Sequence, residues 1–125
     1  MNIHISEPLP WSERAALPNV PGVYQIWKDG EVVYIGRTWG LEGLRGRLAG
    51  FHRSATTGQK AHSGGQTYFA TYGAIDPAYI TVRYHVPMVL LRTAEVLNTY
   101  ILYVERRWIW EHVERVGTLP ACNSE

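Results

Sequence analysis

The chain has 125 residues, 46% of them apolar and 18% charged, and a formal net charge of +1, which suits one soluble globular domain spanning 1–125. Cys122 is the only cysteine, which excludes an intrachain disulfide and fits a reducing compartment. Met1 to Ile5 lack a basic and apolar leader, and the longest apolar stretch, 86–104, is broken by Arg92, Glu95 and Asn98, so the expectation is a cytoplasmic protein that does not engage the membrane.

Residues 1–19 read as an irregular lead-in: Pro8, Pro10 and Pro18 interrupt it, with one helical turn at Ser12 to Leu17. The core is expected over about 20–123. Two β-rich runs follow, Gly22 to Lys28 and Glu31 to Gly36, around Asp29-Gly30, and together they predict a hairpin. Its register has two solutions. A two-residue Asp-Gly loop pairs Lys28 with Glu31, and Tyr24 and Tyr34 then point to opposite faces of the sheet. A three-residue loop with Gly30 left-handed pairs Trp27 with Glu31 and sets Tyr24 across from Tyr34. Local propensity leans to the shorter loop.

Apolar residues at Leu41, Leu44, Leu48 and Phe51 recur at helical spacing and predict a helix over 41–52. Three glycines within it cost about 1 kcal/mol each relative to alanine, so packing rather than propensity must hold it. Its Arg45 and Arg47 project beside the apolar stripe. The basic residues between Arg37 and His62 are Arg37, Arg45, Arg47, Arg53 and Lys60, against the single acid Glu42, a footprint that attracts a phosphate backbone. Residues 54–72, polar and glycine-rich around His62-Ser63-Gly64-Gly65, read as a loop. Tyr79 to Val86 alternates and stops at Pro87, a third strand. A long helix runs from Thr93 to Val116, with Leu97, Ile101, Val104 and Trp108 on one face and Gly117 ending it. The element order is therefore β-β-α-β-α.

Gly22-Val23-Tyr24 followed ten residues later by Tyr34-Ile35-Gly36 resembles the paired signature of the GIY-YIG nuclease family. Leu44 to Leu48 looks like the family's helical Leu-x-x-Arg-Leu element, Glu105 matches its lone helical acid, and Pro120 to Asn123 is similar to its closing Pro-x-x-Asn. The elements stand in the family order from Gly22 to Asn123. The resemblance implies an α+β fold, a small three-stranded antiparallel sheet flanked by helices, and metal-dependent hydrolysis of phosphodiester bonds in DNA.

On that resemblance Tyr24 is the expected general base, Tyr34 assists or holds the water, Arg47 clamps the phosphoryl oxygens and Glu105 holds Mg²⁺, with Mn²⁺ as the alternative. The roles make chemical sense. A guanidinium fork grips two phosphate oxygens at once, and a single carboxylate suits a cation that keeps most of its water. A phenol of pKa about 10 is ionised to about one part in a thousand at pH 7, a deficit of about 4 kcal/mol, so nearby cations must help. Arg37, Arg47 and Lys28 are the candidates. Because both phenols are needed together, the three-residue hairpin loop is the expected one. Arg45 competes with Arg47 for the catalytic role, and Glu111 and Glu114 are weaker alternatives to Glu105.

Arg37, Arg45, His52, His62 and Asn123 are the expected substrate-binding residues. Phe51 occupies the position where the family often carries histidine; His52 lies one step later, rotated by about 100° on a helix. Specificity is expected from the 54–72 loop, a homodimer or a partner protein. The rival expectation is a nucleic-acid-binding module that has the scaffold but no catalysis.

Overall fold

The computed structural model describes residues 3–88 and 93–124; Arg92, which interrupts the apolar stretch, lies outside them. The class is α+β, as expected: an antiparallel sheet with helices on both faces. Its strands are β1 (Leu9–Pro10), β2 (Gly22–Lys28), β3 (Glu31–Thr38) and β4 (Ile80–His85), in the spatial order β1-β4-β2-β3. The sheet thus has four strands where three were expected. The extra one, β1, is two residues long and pairs Leu9 with Val82 and Pro10 with Thr81. Its proline is tolerable because an edge strand does not need every N–H. A 3₁₀ turn, Trp11–Ala16, follows it and buries Trp11 completely.

The hairpin corrects the register expectation. Asp29 and Gly30 are both left-handed, with φ of 51° and 81°, and Lys28 pairs with Glu31. This is the two-residue turn that matches strand twist, not the three-residue loop. The two tyrosines nevertheless share a face. Trp27 pairs with Val32 but Ile26 pairs with Tyr34, so Val33 is an extra, bulged residue. The bulge restores parity: Tyr24 lies opposite Gly36, and Tyr34 opposite Ile26. The core records the same switch, with Val33 and Tyr34 on one side of the sheet and Val32 and Ile35 on the other. The carbonyl of Val33 accepts the N–H of Cys122 at 2.8 Å, which ties the C-terminal tail to the bulge.

Helix α1 (Gly43–Thr57) buries Leu44, Leu48, Phe51 and Ala55 against the tyrosine-bearing face. Leu41 precedes the helix and is wholly exposed, so it is no part of the stripe. The expected 54–72 loop is mostly helical: α1 continues to a left-handed Gly58, and α2 spans Ser63–Tyr72. A Cβ on Gly65 would stand 2.7 Å from the Phe51 carbonyl oxygen, so glycine here permits close helix–helix approach rather than flexibility. Helix α3 (Ala94–Val116) covers the opposite face with Ile101, Val104, Trp108 and Ile109. Thr93 caps it through the Val96 N–H and left-handed Gly117 ends it, as the sequence predicts. Among the described residues no helix is long and apolar enough to cross a membrane.

Candidate active site

β3 is the edge strand nearest both helical layers, and the site forms where those layers meet. Tyr34 points to the α1–α2 side, whereas Arg37, three residues on, reaches Glu105 on α3 with Nη1–Oε1 at 2.5 Å. Glu105 is buried, yet it lines two adjoining clefts of about 450 and 510 Å³. Both clefts also include Tyr34, Arg37 and Ser63. Arg47 and Trp39 line the larger one, and Arg106 and Asn123 the smaller. Tyr34, Arg47 and Glu105, widely spaced in the sequence, thus converge on one opening.

Tyr24 is sealed behind Tyr34, with no exposed surface and ring centroids 6.0 Å apart. Its Oη lies 2.8 Å from His62 Nε2. The His62 tautomer follows from its other nitrogen. Nδ1 accepts the N–H groups of Gly64 (3.0 Å) and Gly65 (3.3 Å) as the N-cap of α2. The proton of the neutral ring therefore sits on Nε2, and His62 donates to Tyr24. Burial first, and the Arg47 guanidinium second, lower the His62 pKa to about 3, which keeps the ring neutral near pH 7.

Burial also dominates both phenols. Tyr24 is pushed well above the ordinary value, with Tyr34 adding to the rise and Arg47 opposing it. Tyr34 is raised less; Arg47 and Arg37 pull it down, and the Glu105 carboxylate pushes it up. Two glycines give its ring room. A Cβ on Gly36 would stand 2.5 Å from Cε2 of Tyr34 and 2.6 Å from the Tyr24 hydroxyl, and one on Gly64 would stand 2.5 Å from Tyr34 Cε1. The glycine of the Tyr-Ile-Gly triplet is therefore a packing requirement of the two rings beside it.

The remaining expected residues are placed as follows. Arg47 is part-exposed; its Nε is 3.9 Å from Glu42, a surface contact worth at most about 1 kcal/mol, and its guanidinium also faces the hydroxyls of Tyr24 and Tyr34. Arg45 is exposed on α1 and lines neither cleft. His52 turns away to accept the Trp11 indole N–H at 3.0 Å. His62 is buried as a cap rather than offered by a loop. Asn123 reaches the cleft wall but commits its amide to Ile35, accepting from its N–H and donating to its carbonyl, each at 2.9 Å. Lys28 pairs with Asp29 and lies over Tyr72, away from both clefts. Glu111 and Glu114 are exposed on α3 and line neither cleft.

Ser63, Trp39 and Arg106 are cleft residues that sequence reasoning missed. Arg106 and Ser63 adjoin singled-out residues, Glu105 and His62; Trp39 stands two residues beyond Arg37.

Among the described residues no three His, Cys, Asp or Glu side chains gather to enclose a metal ion. What the cleft holds is the Glu105 carboxylate, already paired with Arg37, beside open volume, so a cation there would share that carboxylate with the guanidinium. That donor set fits a hard, hydrated cation held at one protein point with water and substrate oxygens completing its shell, and it does not fit a caged structural metal. Compared with protein-family models, curated proteins and solved structures, the chain has no match in any of the three.

Proposed function

We propose that the protein is a metal-dependent DNA endonuclease of the GIY-YIG type, hydrolysing phosphodiester bonds at the β3 edge. The observation that carries this reading is the convergence of Tyr34, Arg37, Arg47 and Glu105 on one cleft of about 510 Å³. The exposed Arg45, Arg53 and Lys60 extend positive charge along and beyond α1, where a nucleic-acid backbone can lie.

The geometry favours Tyr34, not Tyr24, as the phenol that handles water, because Tyr34 lines the cleft and Tyr24 is fully buried. In this scheme Arg47 grips the non-bridging phosphate oxygens and stabilises the charge that grows on them. Because burial raises its pKa, Tyr34 rests as a neutral phenol. The attacking water therefore passes a proton to the Tyr34 oxygen as the phenol releases its own proton to solvent in the open cleft. The water oxygen bonds to phosphorus, the P–O bond to the sugar oxygen breaks, and that oxygen takes up a proton from solvent. Tyr24, the base expected from the sequence, instead packs behind Tyr34 and holds His62. Glu105 would hold Mg²⁺ or Mn²⁺, whose Lewis acidity would stabilise the leaving oxygen.

Purified protein incubated with supercoiled plasmid tests the reading. Nicked or linear product is expected with Mg²⁺ or Mn²⁺ and none with chelator. Salt-sensitive DNA binding without product in any divalent ion would instead establish the non-catalytic binding module.

A further inference from the structure

The geometry points to Trp39 as a stacking platform for an unpaired nucleobase, so that the cleft takes DNA with unstacked bases in preference to intact duplex. This rests on the nuclease reading and adds the substrate class.

Trp11 and Trp108 are buried, whereas Trp39 (41%) and Trp110 (60%) are exposed, and of these two only Trp39 lines a cleft beside Glu105. Leu41, two residues on, is entirely exposed. Exposed apolar side chains are ordinary on a surface; what distinguishes Trp39 and Leu41 is that both stand on the wall of the cleft.

The neighbouring chemistry identifies the occupant. Trp39, Gly40 and Leu41 line the same cleft as Tyr34, Arg37, Arg47 and Glu105. The Arg37 guanidinium lies 4.5 Å from the Trp39 ring centroid, covering one face of the indole while pairing with Glu105. An indole beside two guanidiniums suits a ligand that joins a flat aromatic ring to a phosphate, which is a nucleotide. In an intact duplex the base faces are occupied by stacking and only phosphates are offered. An unpaired base can leave the strand and lie on Trp39 while its phosphate sits with Arg37 and Arg47. The larger cleft, about 510 Å³, has the size of a small-ligand site. Every base has a π-face, so this platform is blind to sequence.

Binding measured in chelator, so that nothing is cut, tests the inference with single-stranded, flapped and fully duplex oligonucleotides of equal length. Stacking on one aromatic contributes about 1–3 kcal/mol, which at about 1.4 kcal/mol per decade is about 5- to 150-fold in affinity. Trp39→Ala should lose that factor on single-stranded and flapped DNA and less than about twofold on duplex, while Trp39→Phe retains most of the preference. Equal losses on all three substrates, or no loss on any, would overturn the platform. Cleavage of duplex by the wild type together with such a result leaves the nuclease reading standing. Absence of binding to any DNA at low salt sinks both.

Discussion

Acidification should destabilise the protein through His62, and the structure sets the size of the effect. The ring is buried, its Nδ1 caps α2, its Nε2–H meets Tyr24, and it packs edge-on against Tyr34 (5.2 Å) and Phe51 (5.1 Å). A second proton would break the cap and place a cation in the core beside Arg47. The folded pKa of about 3 lies below the ordinary 6.5. Between those values the unfolded chain binds a proton at this ring and the native chain does not. Stability is therefore complete above pH 6.5 and is lost as pH falls toward 3. The unfolded ring is half protonated at pH 6.5 and the slope approaches about 1.4 kcal/mol per pH unit only below that, so the step from pH 6.5 to 4.5 costs about 2 kcal/mol, a sizeable part of the roughly 5–15 kcal/mol typical of a domain. Burial also lowers the pKa of His52, His85 and His112, with the same sign, so the wild-type profile alone does not isolate His62. Urea titrations of wild type and His62→Asn across this range do. Asparagine can still cap the helix but cannot titrate or replace the ring. The variant should start less stable at pH 7 and lose less on acidification, so the two profiles converge. Parallel profiles, or an NMR titration of the His62 ring near pH 6.5, would refute the argument.

Gly36→Ala should cost about 1–3 kcal/mol by overpacking and should slow cleavage by displacing Tyr34; wild-type stability and rate together would contradict the contacts at 2.5 and 2.6 Å. Asn123→Ala removes both bonds to Ile35 and should lower unfolding free energy by about 1–3 kcal/mol, read as a shift in urea midpoint. An unchanged midpoint would show that the tail is not held there. Glu105→Gln removes the charge that raises Tyr34, so ultraviolet titration should show tyrosine ionising at lower pH than in the wild type. A shift to higher pH would reverse the assigned sign.

The elements that depend on local chemistry were legible. Thr93 and Gly117 bracket α3 because a cap and a left-handed glycine act within one turn. Asp29-Gly30 forms the turn its residues favour. The error lay in asking the turn to bring the tyrosines together. The bulge at Val33 does that, and it left no mark because Val32 and Val33 are both apolar and each finds a core on its own side of the sheet. Helix α2 was hidden by Gly64 and Gly65, whose helix cost is outweighed by close packing on Tyr34 and on α1. Strand β1 is too short to show alternation. At the site, the residue types were readable from motif order, but burial was not. Only packing reveals that Tyr24 is sealed, that His52 serves Trp11 and that Arg37 bridges Glu105 to Trp39.

The most direct measurement is the single-turnover rate of plasmid cleavage by Arg47→Ala beside the wild type, with unfolding curves for both. The guanidinium is partly exposed and lines the cleft, so the fold should hold while the rate falls by about 10²–10³-fold, as when other transition-state donors are removed. A variant that cuts as fast as the wild type would contradict the claim that this cleft performs the hydrolysis.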